Sequence, residues 1–168
     1  MSLIVHPWPP VYDSFSRVLI LGTIPSPKSR EMGFYYGHPQ NCFWKTIALV
    51  LEQEEPIRGV QARKEFLLRN RIALWDVLHS CEIEGASDSS IKEMTANSFR
   101  PIIEASEISA VFATGKKASA IFNSMCAEEA GLKASYLPST SPANRAFQIK
   151  PEFMEHWLKL KPLLMTHK

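Results

Sequence analysis

Two loops in this chain hold the residue types that grip an anionic polymer. The first, Gly22-Thr23-Ile24-Pro25-Ser26-Pro27-Lys28-Ser29, follows the apolar run Val18-Leu19-Ile20-Leu21. The second, Leu137-Pro138-Ser139-Thr140-Ser141-Pro142-Ala143-Asn144-Arg145, follows a short apolar run near the C-terminus. Proline removes backbone donors and Ser/Thr hydroxyls compete for backbone groups, so neither segment suits a core element. Both suit a rigid surface laid against phosphates: hydroxyls donate, prolines stiffen, and Lys28 and Arg145 add charge. The competing reading is an ordinary surface loop organised by Ser/Thr turns.

A third stretch, Met32-Gly33-Phe34-Tyr35-Tyr36-Gly37-His38-Pro39-Gln40-Asn41-Cys42-Phe43-Trp44-Lys45, clusters aromatics with a His and an Asn ahead of a helical pattern. Asn41 fits a helix N-cap, and its amide also suits holding a water, because it can accept and donate at once. The aromatics fit either packing over a sheet edge or stacking on a nucleobase, worth about 1–3 kcal/mol per base. Asp76 closes the apolar run Ile72-Ala73-Leu74-Trp75. Its carboxylate is acceptor-only and suits an N–H of a bound base, or else a loop cap or an arginine. Gly115-Lys116-Lys117 opens a helix after a strand, where backbone N–H groups and lysines can hold a phosphate; lysines on a solvated face read the same way.

The elements that must position these groups follow from the apolar pattern. Runs at 18–21, 71–77, 110–113 and 134–137 lack alternation, which predicts strands covered on both faces. Helical spacing predicts helices over 41–53, 60–70, 97–106, 116–130 and 151–164. Asn97 is the expected cap of the third, Gly131 the stop of the fourth, and prolines lie in the first turns of the third and fifth. The alternation of strands with helices predicts a three-layer α/β/α sandwich with a central, mainly parallel four-stranded sheet. Ligands of such sheets bind at the carboxyl ends of the strands, where both loops and Asp76 fall.

Composition narrows the class. At 168 residues and 45% apolar, one domain over 1–168 is expected, with no room for two ordinary ones. No apolar run is long enough to span a membrane, and the N-terminus has no signal-peptide pattern, so a cytoplasmic protein is expected. Cys42, Cys81 and Cys126 are odd in number and form no Cys-x-x-Cys pair, which suits reduced thiols better than a metal centre. His6, His38, His79, His156 and His167 show no metal-ligand spacing, and only His38 lies within a motif. With a net charge of +2, any contact with phosphates has to be local. The first loop is not a Walker A sequence, since Gly-Lys-Ser/Thr is absent.

Three of these segments, Gly22 to Ser26, His38 to Lys45 and Leu137 to Asn144, resemble in order the motifs of the uracil-DNA glycosylase superfamily. The similarity is greatest to its hypoxanthine-DNA glycosylase branch, related to the mismatch-specific uracil/thymine glycosylases. Leu74-Trp75-Asp76-Val77-Leu78 with Asp88-Ser89-Ser90-Ile91 is similar to that branch as well, so the match runs from about residue 17 to 147. The resemblance implies a monofunctional DNA glycosylase of base-excision repair. It would hydrolyse the N-glycosidic bond of a deaminated base, preferably hypoxanthine, flipped out of DNA, with no metal and no cofactor. The partner would be DNA containing a damaged base, no membrane would be involved, and the enzyme would act as a monomer.

The resemblance also distributes roles. Mismatch-type relatives place a water-positioning Asn where this chain has Ile24, which can hold no water; the catalytic residue implied here is Asn41. Tyr36 takes the place of the ring that stacks on the base, and Asp76 that of the residue reading its pairing edge. Gly22, Thr23, Ile24, Pro25 and His38 complete the implied base pocket. Ser26, Lys28, Ser29, Gly115, Lys116, Ser139, Thr140, Ser141 and Arg145 are the implied DNA contacts, with Pro142, Ala143 and Asn144 as the wedge. The alternatives are a mismatch-type uracil/thymine-DNA glycosylase, or a DNA-damage-binding domain that has lost catalysis with the residue at position 24.

Overall fold

The computed structural model describes residues 2–84 and 90–165. Asp88 and Ser89 of the fourth resemblance therefore lie outside the described residues. Strands β1 (Ser2–Val5), β2 (Val18–Gly22), β3 (Ile72–Asp76), β4 (Leu78–Ile83), β5 (Lys92–Ala96), β6 (Ala110–Thr114) and β7 (Ala134–Leu137) divide between two sheets. The main sheet has the order β3-β2-β6-β7, and each neighbouring pair is parallel. Among the described residues, only an isolated antiparallel bridge from Val11 to Leu74 departs from this. The chain enters at β2, moves out to β3, then returns to the other side for β6 and β7. The carboxyl ends of β2 and β6 thus flank a topological switch point, where crossover connections diverge and leave a crevice.

Alternation within β2 explains the layers. Val18 and Ile20 face a core built with Phe43, Trp44, Ile47, Phe66, Leu67, Phe153 and Trp157. Leu19 and Leu21 face another, built with Phe99, Ile102, Ala118, Ile121 and Phe122. The first set comes from α2 (Phe43–Leu51), α3 (Val60–Arg69) and α8 (Pro151–Trp157); the second comes mainly from α4 (Arg100–Glu104) and α5 (Lys116–Met125). Burying one such aliphatic or aromatic side chain stabilises the fold by roughly 1.5–3 kcal/mol. An aliphatic strand with helices on both faces is the α/β/α sandwich expected from the sequence.

Several elements differ from that expectation. A second sheet, antiparallel in the order β1-β4-β5, packs Ile4, Leu78, Cys81 and Ile83 against the α4/α5 side. Its strands escape the apolar pattern because β5 is almost wholly exposed and β1 buries only Ile4. The first loop contains a helix, α1 (Pro27–Met32), which Ser26 caps by accepting from Ser29 N–H. The expected helix over 97–106 shrinks to α4, and Asn97 does not cap it. Glu129 does so from outside, accepting from Ser98 Oγ and from the N–H groups of Phe99 and Arg100.

The helix expected over 116–130 breaks at Cys126 into α5 and α6 (Ala127–Ala130), and stops at Gly131 in the left-handed region. The last one, over 151–164, becomes α8, a tight turn over Leu158–Leu160 and α9 (Lys161–Leu164). Pro162 has no N–H for the Leu158 carbonyl, so a regular helix cannot run through. No helix among the described residues is long and apolar enough to cross a membrane.

Candidate active site

Asp76 is the last residue of β3 and is buried at 4% exposure. The backbone around it is held firmly: Val77 N–H donates to Gly22 O and Asn97 Nδ2 donates to Asp76 O. Its Oδ2 lies 2.7 Å from His6 Nε2, with both side chains almost completely buried. The other imidazole nitrogen, Nδ1, lies 2.8 Å from Trp8 O and 3.3 Å from Trp8 N, so it donates to the one or accepts from the other according to the tautomer. Oδ1 lies over Gly22. A Cβ there would stand 2.6 Å from Oδ1 and 3.3 Å from Tyr36 Oη, so glycine is required by close approach.

The aromatic stretch turns out to be two things at once. Phe34, Tyr35, Phe43 and Trp44 are core, while Tyr36 is half-buried at the rim of the cleft. Its ring stacks on Phe43 with centroids 4.1 Å apart and planes 10° off parallel. The segment is fixed at both ends. Gly33 closes α1 in the left-handed region, and Gly37 N–H donates to Ser29 Oγ. Tyr36 itself has a φ of 51°, rare for a bulky residue and held here by the packing on either side. Its hydroxyl is 3.4 Å from Thr114 Oγ1, which donates to Leu21 O at 3.1 Å; the phenol is therefore the donor of that pair. Burial, then the nearby Asp76 charge, pushes the Tyr36 phenol well above its usual range, and Tyr35 is raised for the same two reasons. Both stay protonated.

Asn41 faces this pocket without capping α2 in the usual manner. Its Oδ1 accepts from Phe43 N–H at 2.9 Å, an Asx turn that fixes the side chain and leaves an oxygen lone pair and the amide N–H groups for a ligand. Cys42 N–H donates to Thr140 O at 3.1 Å, tying the His-Pro-Gln-Asn segment to the second Pro/Ser loop. These two motifs are about a hundred positions apart in the chain, and one backbone bond makes them neighbours.

The second loop is rigid by hydrogen bonding. Asn144 Nδ2 and Gln148 Nε2 donate to Ser139 O at 2.9 and 3.1 Å, and Gln148 also donates to Ser141 O at 2.8 Å. Ser139 and Ser141 accept from Ser141 and Ala143 N–H groups, leaving their hydroxyl protons for phosphate oxygens. Trp157 Nε1 donates to Pro138 O and anchors the loop to α8. Thr140 is buried at 1% exposure, so it shapes the loop from inside.

These pieces enclose a cleft of about 770 Å³ at the carboxyl ends of β2, β3, β6 and β7. Gly22, Thr23, Ile24, Pro25, Tyr36, His38, Asn41 and Asp76 all line it. So do Ser26, Ser29, Gly115, Lys116, Ser139, Thr140, Ser141, Pro142, Ala143 and Asn144. Ser29 sits at its wall with the hydroxyl turned to Gly37 and Ser26. Lys28 and Arg145 are not in the lining; Lys28 is ion-paired with Glu31 at 3.0 Å. Sequence reasoning missed Arg30, Tyr35, Thr114 and Tyr136, which also line the cleft. Thr114 left a signal, a hydroxyl residue at a strand end before glycine. His6 left none, because 70 positions separate it from Asp76.

A cleft at the switch point of a parallel sheet, lined by an aromatic ring, a buried carboxylate and a hydroxyl-rich loop, is the ligand site of an α/β enzyme. The chain matches the profile of the Uracil DNA glycosylase superfamily over residues 9–161. It belongs to that superfamily and is a DNA glycosylase by that membership. It is 35% identical to a hypoxanthine DNA glycosylase of Methanosarcina barkeri over 142 residues, 82% of this chain and 87% of that one. Identity to a hypoxanthine DNA glycosylase of Methanosarcina acetivorans is 32% over 149 residues, 86% of this chain and 91% of the relative. A solution NMR structure of a Methanosarcina acetivorans protein, described as a candidate uracil DNA glycosylase, superposes with a TM-score of 0.83 at 28% identity. That likeness covers 98% of this chain and 100% of the other.

Proposed function

We propose that the cleft receives a hypoxanthine nucleotide flipped out of DNA, and that this chain hydrolyses its N-glycosidic bond to open base-excision repair. The observation that carries the reading is the buried Asp76 carboxylate in the cleft lining, with one oxygen committed to His6 and the other lying over Gly22, near the Tyr36 hydroxyl. An acceptor-only oxygen suits the N1–H of hypoxanthine and repels adenine, whose N1 is itself an acceptor. The names of the two Methanosarcina relatives point to the same base. Tyr36, backed by Phe43, offers the stacking face, and Thr23, Ile24, Pro25 and His38 shape the pocket around it.

Asn41 is the catalytic residue in this reading. In the reaction the C1′–N9 bond breaks and its electron pair leaves with the purine. The oxygen of the held water bonds to C1′, and one of the water's protons ends on the base. The transition state is oxocarbenium-like, so orienting the water and stabilising charge suffice without covalent attack. Ser139, Ser141, Gly115 and Lys116 hold the DNA backbone, with Ser26, Lys28 and Arg145 at the margins and Pro142, Ala143 and Asn144 entering the duplex. The cleft is complete within one chain, which supports a monomer. The free thiols of Cys42 and Cys126 support a reducing, cytoplasmic setting.

The deciding experiment uses labelled duplexes carrying inosine, uracil, xanthine or a thymine mismatch, incubated with the protein and then treated with alkali. Strand cleavage at inosine is expected. Cleavage only at uracil or thymine mismatches would overturn the base assignment, and no cleavage at any lesion would overturn catalysis.

A further inference from the structure

We infer that His6, directly after β1 of the second sheet, is a positioning residue for base recognition, presenting Asp76 Oδ1 to the cleft as a fixed acceptor. This rests on the reading of the cleft as the base pocket. The geometry is a relay of three groups. Trp8 O lies 2.8 Å from Nδ1 and Asp76 Oδ2 lies 2.7 Å from Nε2, and the imidazole between them is almost fully buried. The ring is held at its edge by Trp8 and Trp75 and tilted against Tyr35, with centroids 6.0, 6.5 and 5.7 Å away. Tyr35 donates to Pro9 O and turns its own proton away from the pair. His6 N–H bonds to His79 O, so the backbone under the ring is fixed to β4 as well.

The proton arithmetic gives this relay a function. Nδ1 either donates to Trp8 O at 2.8 Å or accepts from Trp8 N–H at 3.3 Å, and in either case a proton must sit between Nε2 and Oδ2 to bridge two acceptors 2.7 Å apart. That proton is carried by Nε2 or by Oδ2. In both arrangements Oδ1 has no hydrogen and can only accept. The pocket-facing oxygen is therefore an acceptor whichever partner holds the shared proton. Among the described residues, His6 is the only side chain hydrogen-bonded or ion-paired to the Asp76 carboxylate. Without it, no other side-chain bond among the described residues fixes the torsion of that carboxylate or which of its oxygens faces the ligand. A charge-assisted bond of this kind that orients a reading group is worth roughly a 10- to 100-fold effect on the step it serves.

The test compares His6→Ala, His6→Gln and His6→Asn in the full chain. Glutamine places an amide N–H where Nε2 stands, and asparagine places one where Nδ1 stands. Two readouts are taken. One is single-turnover release of hypoxanthine from an inosine duplex. The other is the Kd ratio between an undamaged duplex and one bearing 2′-fluoro-deoxyinosine, whose glycosidic bond resists hydrolysis. Thermal unfolding of each variant separates recognition from folding. The alanine and asparagine variants should lose roughly 10- to 100-fold in both readouts, while affinity for undamaged duplex stays unchanged. The glutamine variant should recover most of the loss.

Rescue by asparagine and not glutamine would show that His6 only ties down the 6–8 turn, and would overturn the inference. Wild-type rates and ratios in the alanine variant would overturn it too. A wild-type protein that prefers the fluorinated duplex in a His6-dependent manner, yet releases no base, would keep this inference and overturn the proposed catalysis. No preference at all in the wild type would overturn both.

Discussion

Gly22→Ala is the most informative single perturbation of this site. The added methyl would stand 2.6 Å from Asp76 Oδ1, 3.3 Å from Tyr36 Oη and 3.7 Å from Thr114 Oγ1. Ordinary contact would require Oδ1 to retreat by about 0.8 Å. It cannot do so freely, because Oδ2 is tied to His6 at 2.7 Å and the backbone oxygen of Asp76 to Asn97 at 2.9 Å. Over-packing of this kind costs roughly 1–3 kcal/mol. At about 2–4 °C per kcal/mol for a chain of this size, Tm should fall by roughly 2–12 °C. A displacement near 1 Å in a positioning group costs on the order of 10²-fold in rate. The assay is single-turnover release of hypoxanthine with calorimetric Tm on the same preparation. A variant with wild-type rate and Tm would refute the close approach of Asp76 to Gly22, and with it the carboxylate as base reader.

Other expectations use the same assays. Asn41→Ala should slow base release by roughly 10²- to 10⁴-fold while duplex affinity survives, and a wild-type rate would remove Asn41 from the chemistry. Asp76→Asn presents a group that donates as well as accepts, so the inosine-to-uracil excision ratio should fall roughly 10-fold; an unchanged ratio would count against Asp76. Glu129 should report on pH. Burial opposes its ionisation, but its bonds from Ser98, Phe99 and Arg100 outweigh that and leave its pKa lowered. A carboxylate with a lowered folded pKa stabilises fully above its unfolded value of about 4.3, and loses that contribution as pH falls through the folded value. Glu129→Ala should cost roughly 0.5–1 kcal/mol at neutral pH, discounted for exposure, and the Tm gap to wild type should narrow as pH falls below the unfolded value and close only below the lowered folded one. A gap constant with pH would refute the cap.

Local pattern and long-range contact divide the rest between them. The main sheet was legible because β2, β3, β6 and β7 are buried on both faces, and burial on both faces writes an unbroken apolar run. The second sheet was not, because β1 and β5 expose most of their side chains and leave no period to read. The cap of α4 was misassigned for a related reason. Asn97 has the right residue type at the right place, yet the carboxylate of Glu129, about thirty positions later, occupies the orphan N–H groups, and Asn97 serves Asp76 instead. A cap residue's type is local information, whereas the competition for it is tertiary.

The sequence by itself determined the class of fold, the family and the two loops that line the cleft, because these depend on residue type and on spacing within a few turns of chain. It also placed Asn41, Tyr36 and Asp76 at strand and loop ends, where a parallel sheet exposes its ligands. Only the tertiary structure decided that Asp76 is paired with His6, that Tyr36 stacks on Phe43 and hydrogen-bonds Thr114, and that Lys28 pairs with Glu31 outside the cleft lining. Each of those is a contact between segments whose separation carries no periodic signal. The orientation of a side chain is set by whatever packs against it, and that neighbour exists only once the chain has folded.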